Sequence, residues 1–467
     1  MYAKKITMSF VLAVFVIFMF LIYCSGDKAK IIFTGAQGEV KLLTLDPGHF
    51  HAALVQKKMY DQVSAEVYVY APEGPDVEDH LNQINGFNTR VEEYPTTWEE
   101  IVYRGPDYLE RMVEEKKGNV VVVSGNNREK TEYIKASVNG GLNVLVDKPM
   151  CIDANGFELL KQAFASAEQK GVLLYDIMTE RHEITTLLQK NLAQMEELFG
   201  EFVSGTPENP SVVKESVHHF FKYVSGSPIK RPAWYFDVRQ QGEGIIDVTT
   251  HLVDLVQWGC FPEQILDYTS DIQMIRARHW PTLISREQFE RVTHLSEFPD
   301  YLKKYVNGEG VLSVLANGEM VYRIKGIIAR VAVEWNYEAP EGGGDTHFSM
   351  MRGTKANLII RQDKEQNYRP ELYVEAPEGV RSADMETAVH HAVEIITAQF
   401  PGVALNREGE SWHVVIPDMY RVGHEAHFAQ VMETYLQYLV DGRLPEWEVP
   451  NMLAKYYTTT SAYEMAQ

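Results

Sequence analysis

Between residues 40 and 177 short apolar runs alternate with longer amphipathic stretches, and this alternation leaves few folds open to the chain. Val40–Leu45, Ala65–Tyr70, Asn119–Ser124, Leu142–Val146 and Gly171–Tyr175 read as strands. The unbroken Val120–Val123 run suits a strand covered on both faces. Helical patterns at Tyr108–Lys117, Arg128–Asn139 and Gly156–Gln169 lie between the strands. Strands separated by helices of this length predict an α/β fold with a doubly wound parallel sheet, whose ligands sit beyond the carboxyl ends of the strands.

A length of 467 residues predicts two domains, and 45% hydrophobic residues are ample for packed cores. The formal net charge of −21, with no basic patch, argues against a nucleic-acid partner. Residues 1–24 differ in kind: Lys4 and Lys5 precede an apolar run from Ile6 to Tyr23, followed by Cys24. That is the pattern of an export signal, and Leu21-Ile22-Tyr23-Cys24 resembles a bacterial lipoprotein signal in which Cys24 is lipidated. Tyr23 stands where a small residue is usual, so an uncleaved anchor of about 18 residues is the alternative. Either way the folded part is expected outside the cytoplasm, tethered to a membrane on its periplasmic face or at the cell surface. Cys151 and Cys260 then remain, too few for a disulfide framework and best read as buried, small and apolar. With no Cys-x-x-Cys and no His-x-x-x-His helix, no metal site is expected.

The nucleotide fingerprint is incomplete. A dinucleotide site calls for Gly-x-Gly-x-x-Gly after the first strand, and the corresponding positions here are Asp46, Gly48 and His51. Asp46 reads equally as a helix cap, and its charge would repel a pyrophosphate. The second strand ends at Ala71-Pro72, with Glu73 the nearest acid for a ribose. Further on, Gly244–Asp254 reads as a helix with Asp247 and His251 on one face and Asp254 one turn beyond. A carboxylate and an imidazole so placed can hold a hydroxyl and take its proton. Dipole complementarity for Asp247 and a core position for His251 is the structural alternative.

The strand-turn-helix start, Ser124-Gly125-Asn126-Asn127, Gly140 through Val146 running into Asp147-Lys148-Pro149-Met150, and then Gly244…Asp247…His251 occur in one order. Together they resemble the glucose–fructose oxidoreductase and inositol dehydrogenase (Gfo/Idh/MocA) family over residues 38–260. Asp147 stands where the family usually has Glu, and Glu243 where it has a glycine; Glu243 either reaches the substrate or is solvated. The resemblance implies a Rossmann-like domain over 31–178 and a substrate-binding α+β domain over 179–467 with a large, open, mostly antiparallel sheet. It implies NAD, with NADP as alternative, bound around Gly48, His49, Phe50, Glu73, Ser124, Asn126, Asn127, Asp147, Lys148 and Pro149. Lys148 is implied to hydrogen-bond the reacting hydroxyl, Asp247 to bind substrate, and His251 to act as base, with Trp234 and Arg239 as further substrate contacts.

Other stretches carry weaker signals. Trp234 and Phe236 read as either sugar-stacking or core residues. His218, His219 and Lys222 lie in a strand-like stretch whose alternation should turn only one histidine inward. Gly326–Tyr337 and Ala356–Arg361 read as strands of the open sheet, Glu341–Asp345 as a loop, and His424–Val440 as a helix with ordinary face histidines at 424 and 427. Residues 264–325 and 370–420, the latter with a helix at Asp384–Phe400, read as insertions that cover the cleft or build an oligomer interface. The leading expectation is a dehydrogenase that converts a ring hydroxyl of a sugar or glycoside to a ketone with a tightly held cofactor. The alternatives are an NAD-dependent glycosidase working by oxidation and elimination, and a non-catalytic glycan-binding lipoprotein.

Overall fold

The computed structural model describes residues 32–91, 94–224 and 227–467; Cys24 and the rest of the leader lie outside the described residues. Six parallel strands form the first sheet: β1 (Leu42–Leu45), β2 (Glu66–Ala71), β3 (Glu99–Arg104), β4 (Val120–Val123), β5 (Asn143–Asp147) and β6 (Leu174–Ile177). Their order is β3-β2-β1-β4-β5-β6, so the winding reverses between β1 and β4, where such sheets bind ligands. The helices are α1 (His51–Leu54), α2 (Pro75–Thr89), α3 (Tyr108–Glu115), α4 (Lys130–Asn139) and α5 (Ala154–Lys170). β1 and β4 are buried along their whole lengths, as their apolar runs require. Sequence patterning missed α2 and β3. β3 is an edge strand, Glu-Glu-Ile-Val-Tyr-Arg, with no residue buried, so it carries no apolar alternation to read.

The chain continues through α6 (Ile184–Ala193), β7 (Val212–Phe221), a small hairpin of β8 (Tyr223–Val224) and β9 (Ser227–Pro228), α7 (Val238–Gln241) and α8 (Thr249–Cys260). Next come β10 (Ile272–Ile284), α9 (Arg286–Thr293), β11 (Leu312–Ile324), β12 (Ile327–Glu338), β13 (Thr346–Arg352), β14 (Asn357–Gln362) and β15 (Glu371–Glu375). Then follow α10 (Glu386–Gln399), β16 (Ala404–Glu408), β17 (Ser411–Val415), α11 (His424–Asp441) and α12 (Glu448–Ala466). Nine strands form the second sheet in the order β10-β11-β12-β7-β13-β14-β15-β17-β16. Every neighbouring pair is antiparallel except β12 with β7. Residues 264–325 therefore supply the two strands at one end of this sheet, and 370–420 the three at the other. They extend the sheet and its core rather than interrupting a compact pattern.

The sequence split at residue 178 is not respected in space. Phe428, Val431, Met432 and Tyr435 of α11, with Met452 and Tyr456 of α12, are buried in the core of the first sheet. Charges buried between the halves are paired. Arg181 donates to both oxygens of Asp254 at 2.7 Å and to Glu448 at 2.8 Å, and Lys455 reaches Asp254 at 2.8 Å and Asp176 at 2.7 Å. This network joins the end of β6 to α8 and α12 and fixes where α8 stands. Among the described residues no helix is long and apolar enough to cross a membrane.

Candidate active site

Two short segments meet where β5 ends. Lys148 follows the last residue of β5, and the Lys148–Pro149 peptide is cis. Its ammonium donates to Asp247 Oδ1 at 2.7 Å, with both side chains about nine-tenths buried (11% and 7% exposed). Gln241 Nε2 donates to the other carboxylate oxygen at 3.0 Å. The turn bearing Asp247 lies flat on β11, because a Cβ at Gly244 would come within 1.7 Å of the Ala316 carbonyl oxygen. α8 starts at Thr249, later than the sequence predicts, and Asp247 sits in the turn ahead of it with its amide on Glu243 O. Thr249 and Thr250 hydroxyls donate to the carbonyls of Ile245 and Ile246 and tie turn to helix.

His251 projects from the first turn of α8. Its Nδ1 has no hydrogen-bond partner in the structure. Burial, and then the Lys148 charge, hold the imidazole well below its ordinary range, so it is neutral at neutral pH. Asp254 takes no part here; its carboxylate is held by Arg181 and Lys455. Glu243 reaches neither substrate space nor solvent, being buried against His279 Nδ1 at 2.6 Å.

Asp147 is a second hub. Its Oδ2 lies 3.0 Å from Ser124 Oγ, 3.0 Å from His51 Nδ1 and 3.6 Å from His49 Nδ1, while Lys130 Nζ donates to its backbone carbonyl at 3.0 Å. Against desolvation, the neighbouring His51 and Lys130 hold this carboxyl well below its ordinary range. Burial pushes Lys130 down to about 8. The other expected cofactor residues scatter. Asn126 Nδ2 donates to Gln240 Oε1 (2.7 Å) and Asn127 Nδ2 to Gln241 O (2.6 Å), so both asparagines fasten the second half of the chain to the first. Phe50 is exposed, and so is Glu73 in the bend before α2. Trp234 donates to Asp76 Oδ2 at 2.9 Å from within an aromatic cluster, and Arg239 is exposed on α7, apart from the Lys148–Asp247 pair. A cavity of about 370 Å³ lies between the β1–α1 loop, α2 and residues 229–235, lined by His49, Phe50, Asp76, His80, Arg231 and Tyr235. A smaller space of about 20 Å³ adjoins Asp247, Gln241, Tyr235 and Trp335.

Two features escaped the sequence reading. Asp345 collects His219 Nδ1 (2.9 Å), His218 Nδ1 (3.2 Å) and Lys222 Nζ (2.6 Å). Strand alternation predicts one inward histidine, but Asp345, in the loop before β13, accepts from both sides of the end of β7. Against desolvation, the two histidines and Lys222 hold its carboxyl well below the usual range. The other feature is Glu180, just beyond β6, whose carboxyl is pushed up to about 7 by burial and Glu183, with Lys148 pulling the other way. An isolated Glu in Thr179–His182 carries no signal in sequence; only its burial near Lys148 marks it.

Comparison with known proteins places this geometry. Residues 69–176 match the family model described as "Oxidoreductase family, NAD-binding Rossmann fold". Residues 188–467 match "Putative oxidoreductase C terminal domain". The chain belongs to the Gfo/Idh/MocA oxidoreductase family. A solved "putative oxidoreductase" from Parabacteroides merdae is 61% identical, covers 93% of this chain and 99% of its own, and superposes with a TM-score of 0.92. At 11% identity (91% and 97% covered, TM-score 0.57) the fold is shared with a levoglucosan dehydrogenase solved with NADH and levoglucosan. At 13% identity (89% and 94%, TM-score 0.52) it is shared with a 3-ketoreductase from Actinomadura kijaniata solved with NADP and TDP-benzene. No curated protein matches.

Membership in a NAD(P)-binding Gfo/Idh/MocA family poses a test for these residues. At the β5 end they fit a nicotinamide: the buried Lys148–Asp247 pair stands where β5 ends, and His251, its Nδ1 unpartnered, lies one turn beyond Asp247 under the influence of the Lys148 charge. At the phosphate end the loop departs from a cradle. The amides of Gly48 and His49 already donate to Ser124 O at 3.2 and 3.3 Å. A Cβ at Gly48 would meet Asp76 Oδ2 at 3.1 Å and the Trp234 ring at 3.4 Å, so protein fills the approach to this loop. α1 spans four residues, leaving little helix dipole to attract phosphate. The match to the Rossmann family model likewise begins at residue 69, after this loop.

Proposed function

We propose that this oxidoreductase acts on a secondary ring hydroxyl of a sugar or glycoside, interconverting it with the ketone with the help of a nicotinamide cofactor. The observation that carries this reading is the buried Lys148–Asp247 pair with the neutral, unpartnered His251 on the same turn-and-helix segment. Lys148 and Asp247 would orient the hydroxyl, the ammonium donating to its oxygen and the carboxylate accepting its neighbour's proton. As the O–H bond opens, Lys148 stabilises the developing alkoxide charge in a site from which most water is excluded. His251 accepts the proton at the ring nitrogen that carries a lone pair. A bound nicotinamide supplies the acceptor for the hydride leaving carbon. The neighbours solved with levoglucosan and with a TDP ligand support a carbohydrate-class substrate.

A second reading keeps the same first step and adds glycoside cleavage. A ketone acidifies the adjacent C–H, so a second base could drive elimination of the aglycone. His218 favours this reading, because it is paired with Asp345 and its ring lies tilted, 5.2 Å between centres, against Trp335, which lines the space beside Asp247. The leader, read from residues 1–24, supports an exported, lipid-tethered enzyme; loss of lipid labelling in Cys24→Ala would test that. For the chemistry, the full-length chain is purified without added cofactor and assayed for nicotinamide by absorbance and mass. It is then incubated with glycosides and either dinucleotide. Keto-sugar without free aglycone supports the dehydrogenase, released aglycone the glycosidase, and no conversion with any dinucleotide refutes both.

A further inference from the structure

The β1–α1 loop carries His-Phe-His where a dinucleotide cradle would have small residues, and both imidazoles converge on Asp147. We propose that His49, His51 and Asp147 form a binding site for one divalent transition-metal ion of the zinc class, open toward the cavity lined by His49 and Phe50. Each of the three residues offers one ligand atom, and these atoms lie within 4.8 Å of one another. The His51 and His49 ring nitrogens stand 3.0 and 3.6 Å from Asp147 Oδ2. Ligand atoms about 2.0–2.1 Å from a tetrahedral zinc are roughly 3.3 Å apart, a value that the two nitrogen-to-oxygen separations bracket.

The local chemistry points the same way. His49 Nδ1 accepts the His51 amide at 3.4 Å, so it carries a lone pair, and it faces the carboxylate oxygen with no proton between them. A cation placed between two electron-rich atoms relieves that repulsion. Two imidazoles and one carboxylate with an open position is a common composition of reactive zinc sites; calcium and magnesium prefer all-oxygen shells. The outer contacts are in place as well. Ser124 Oγ donates to Asp147, and the His51 ring is held against Phe428 at 4.6 Å and His424 at 5.4 Å between ring centres. Lys130 and Lys148 near Asp147 oppose a cation, which sets the affinity below that of an all-anionic shell.

This inference does not depend on the oxidoreductase reading, and its test reads binding rather than turnover. The full-length chain, without a polyhistidine tag, is stripped with chelator and titrated with Co²⁺ while ligand-field absorption in the visible is followed. Thermal unfolding is measured with and without Zn²⁺. The expected result is one Co²⁺ per chain, a higher Tm with Zn²⁺, and binding weakened at least about tenfold in His49→Ala and in Asp147→Asn. His49→Ala is the decisive variant because His49 faces the cavity and its loss leaves the buried His51–Asp147 contact in place. His218→Ala, at the other histidine cluster, should bind Co²⁺ as the unaltered chain does. A folded chain that takes up no Co²⁺ overturns the proposal. So does unchanged binding in both His49→Ala and Asp147→Asn, or loss of binding in His218→Ala alone.

Discussion

The two ends of the edge at which the first sheet would take its ligand present opposite chemistry. At the β5 end, Lys148 and Asp247 are separated by 99 residues in sequence and lie 2.7 Å apart, buried, with His251 beside them. At the β1 end, the loop from Asp46 to His51 has its Gly48 and His49 amides taken up by Ser124 O and presents imidazoles in their place. The contrast teaches that a Rossmann sheet fixes where chemistry happens, while the loop after the first strand is free to change what it holds. Sheet order comes from strand burial, which tolerates little change; loop composition is not so constrained.

The comparison can be broken most directly at its reaction end. Lys148→Ala and His251→Ala should each lower turnover by about 10²–10⁴-fold, with far-ultraviolet circular dichroism unchanged; near-normal rates in either would remove the assigned roles. The next largest effect separates Asp247 from Asp254 within one segment. Asp254→Ala removes the carboxylate that Arg181 and Lys455 share, leaving Arg181 only Glu448 and Lys455 only Asp176, and should cost up to about 3–5 kcal/mol of stability, measured by denaturant unfolding. A mild effect there would show that the buried network does not hold α8.

Smaller effects sharpen the picture. Glu180, with its carboxyl at about 7, should produce a limb near pH 7 in the rate profile that disappears in Glu180→Gln; persistence of the limb assigns it to another group. Buried neutral histidines set the acid side of stability. His80, His182 and His427 are lowered by burial to about 4. The unfolded chain therefore binds more protons below about pH 6.5. Their stabilising contribution is full above that pH and lost as pH falls toward 4, so Tm should drop across that window. A flat Tm there would contradict the burial of these rings. The least change is expected at exposed Glu73, where Glu73→Ala should alter dinucleotide preference less than about twofold. A larger shift would restore a cradle-like role to that end.

The approach of Lys148 to Asp247 was readable because the resemblance rested on short motifs in a fixed order. Local patterning reaches only so far. Alternation along β7 buries one histidine, His219, as read, but cannot name Asp345 of a neighbouring loop, which gathers His218, His219 and Lys222. Asn126 and Asn127, expected at the cofactor, bind Gln240 and Gln241, partners no sequence pattern could name. α11 reads as an ordinary helix and α12 went unread, and nothing along either segment tells that they complete the first core.

The sequence by itself determined the parallel sheet, through strands too apolar to face water, and the order of Lys148, Asp247 and His251 along the chain. Only the tertiary structure decided which carboxylate faces Lys148 and which is locked in the interior. Asp247 and Asp254 are indistinguishable by spacing, and what separates them is the cation each meets: Lys148 at the end of β5 for one, Arg181 and Lys455 in the interior for the other. Desolvation and pairing are properties of the packed interior, which periodicity along one segment does not encode.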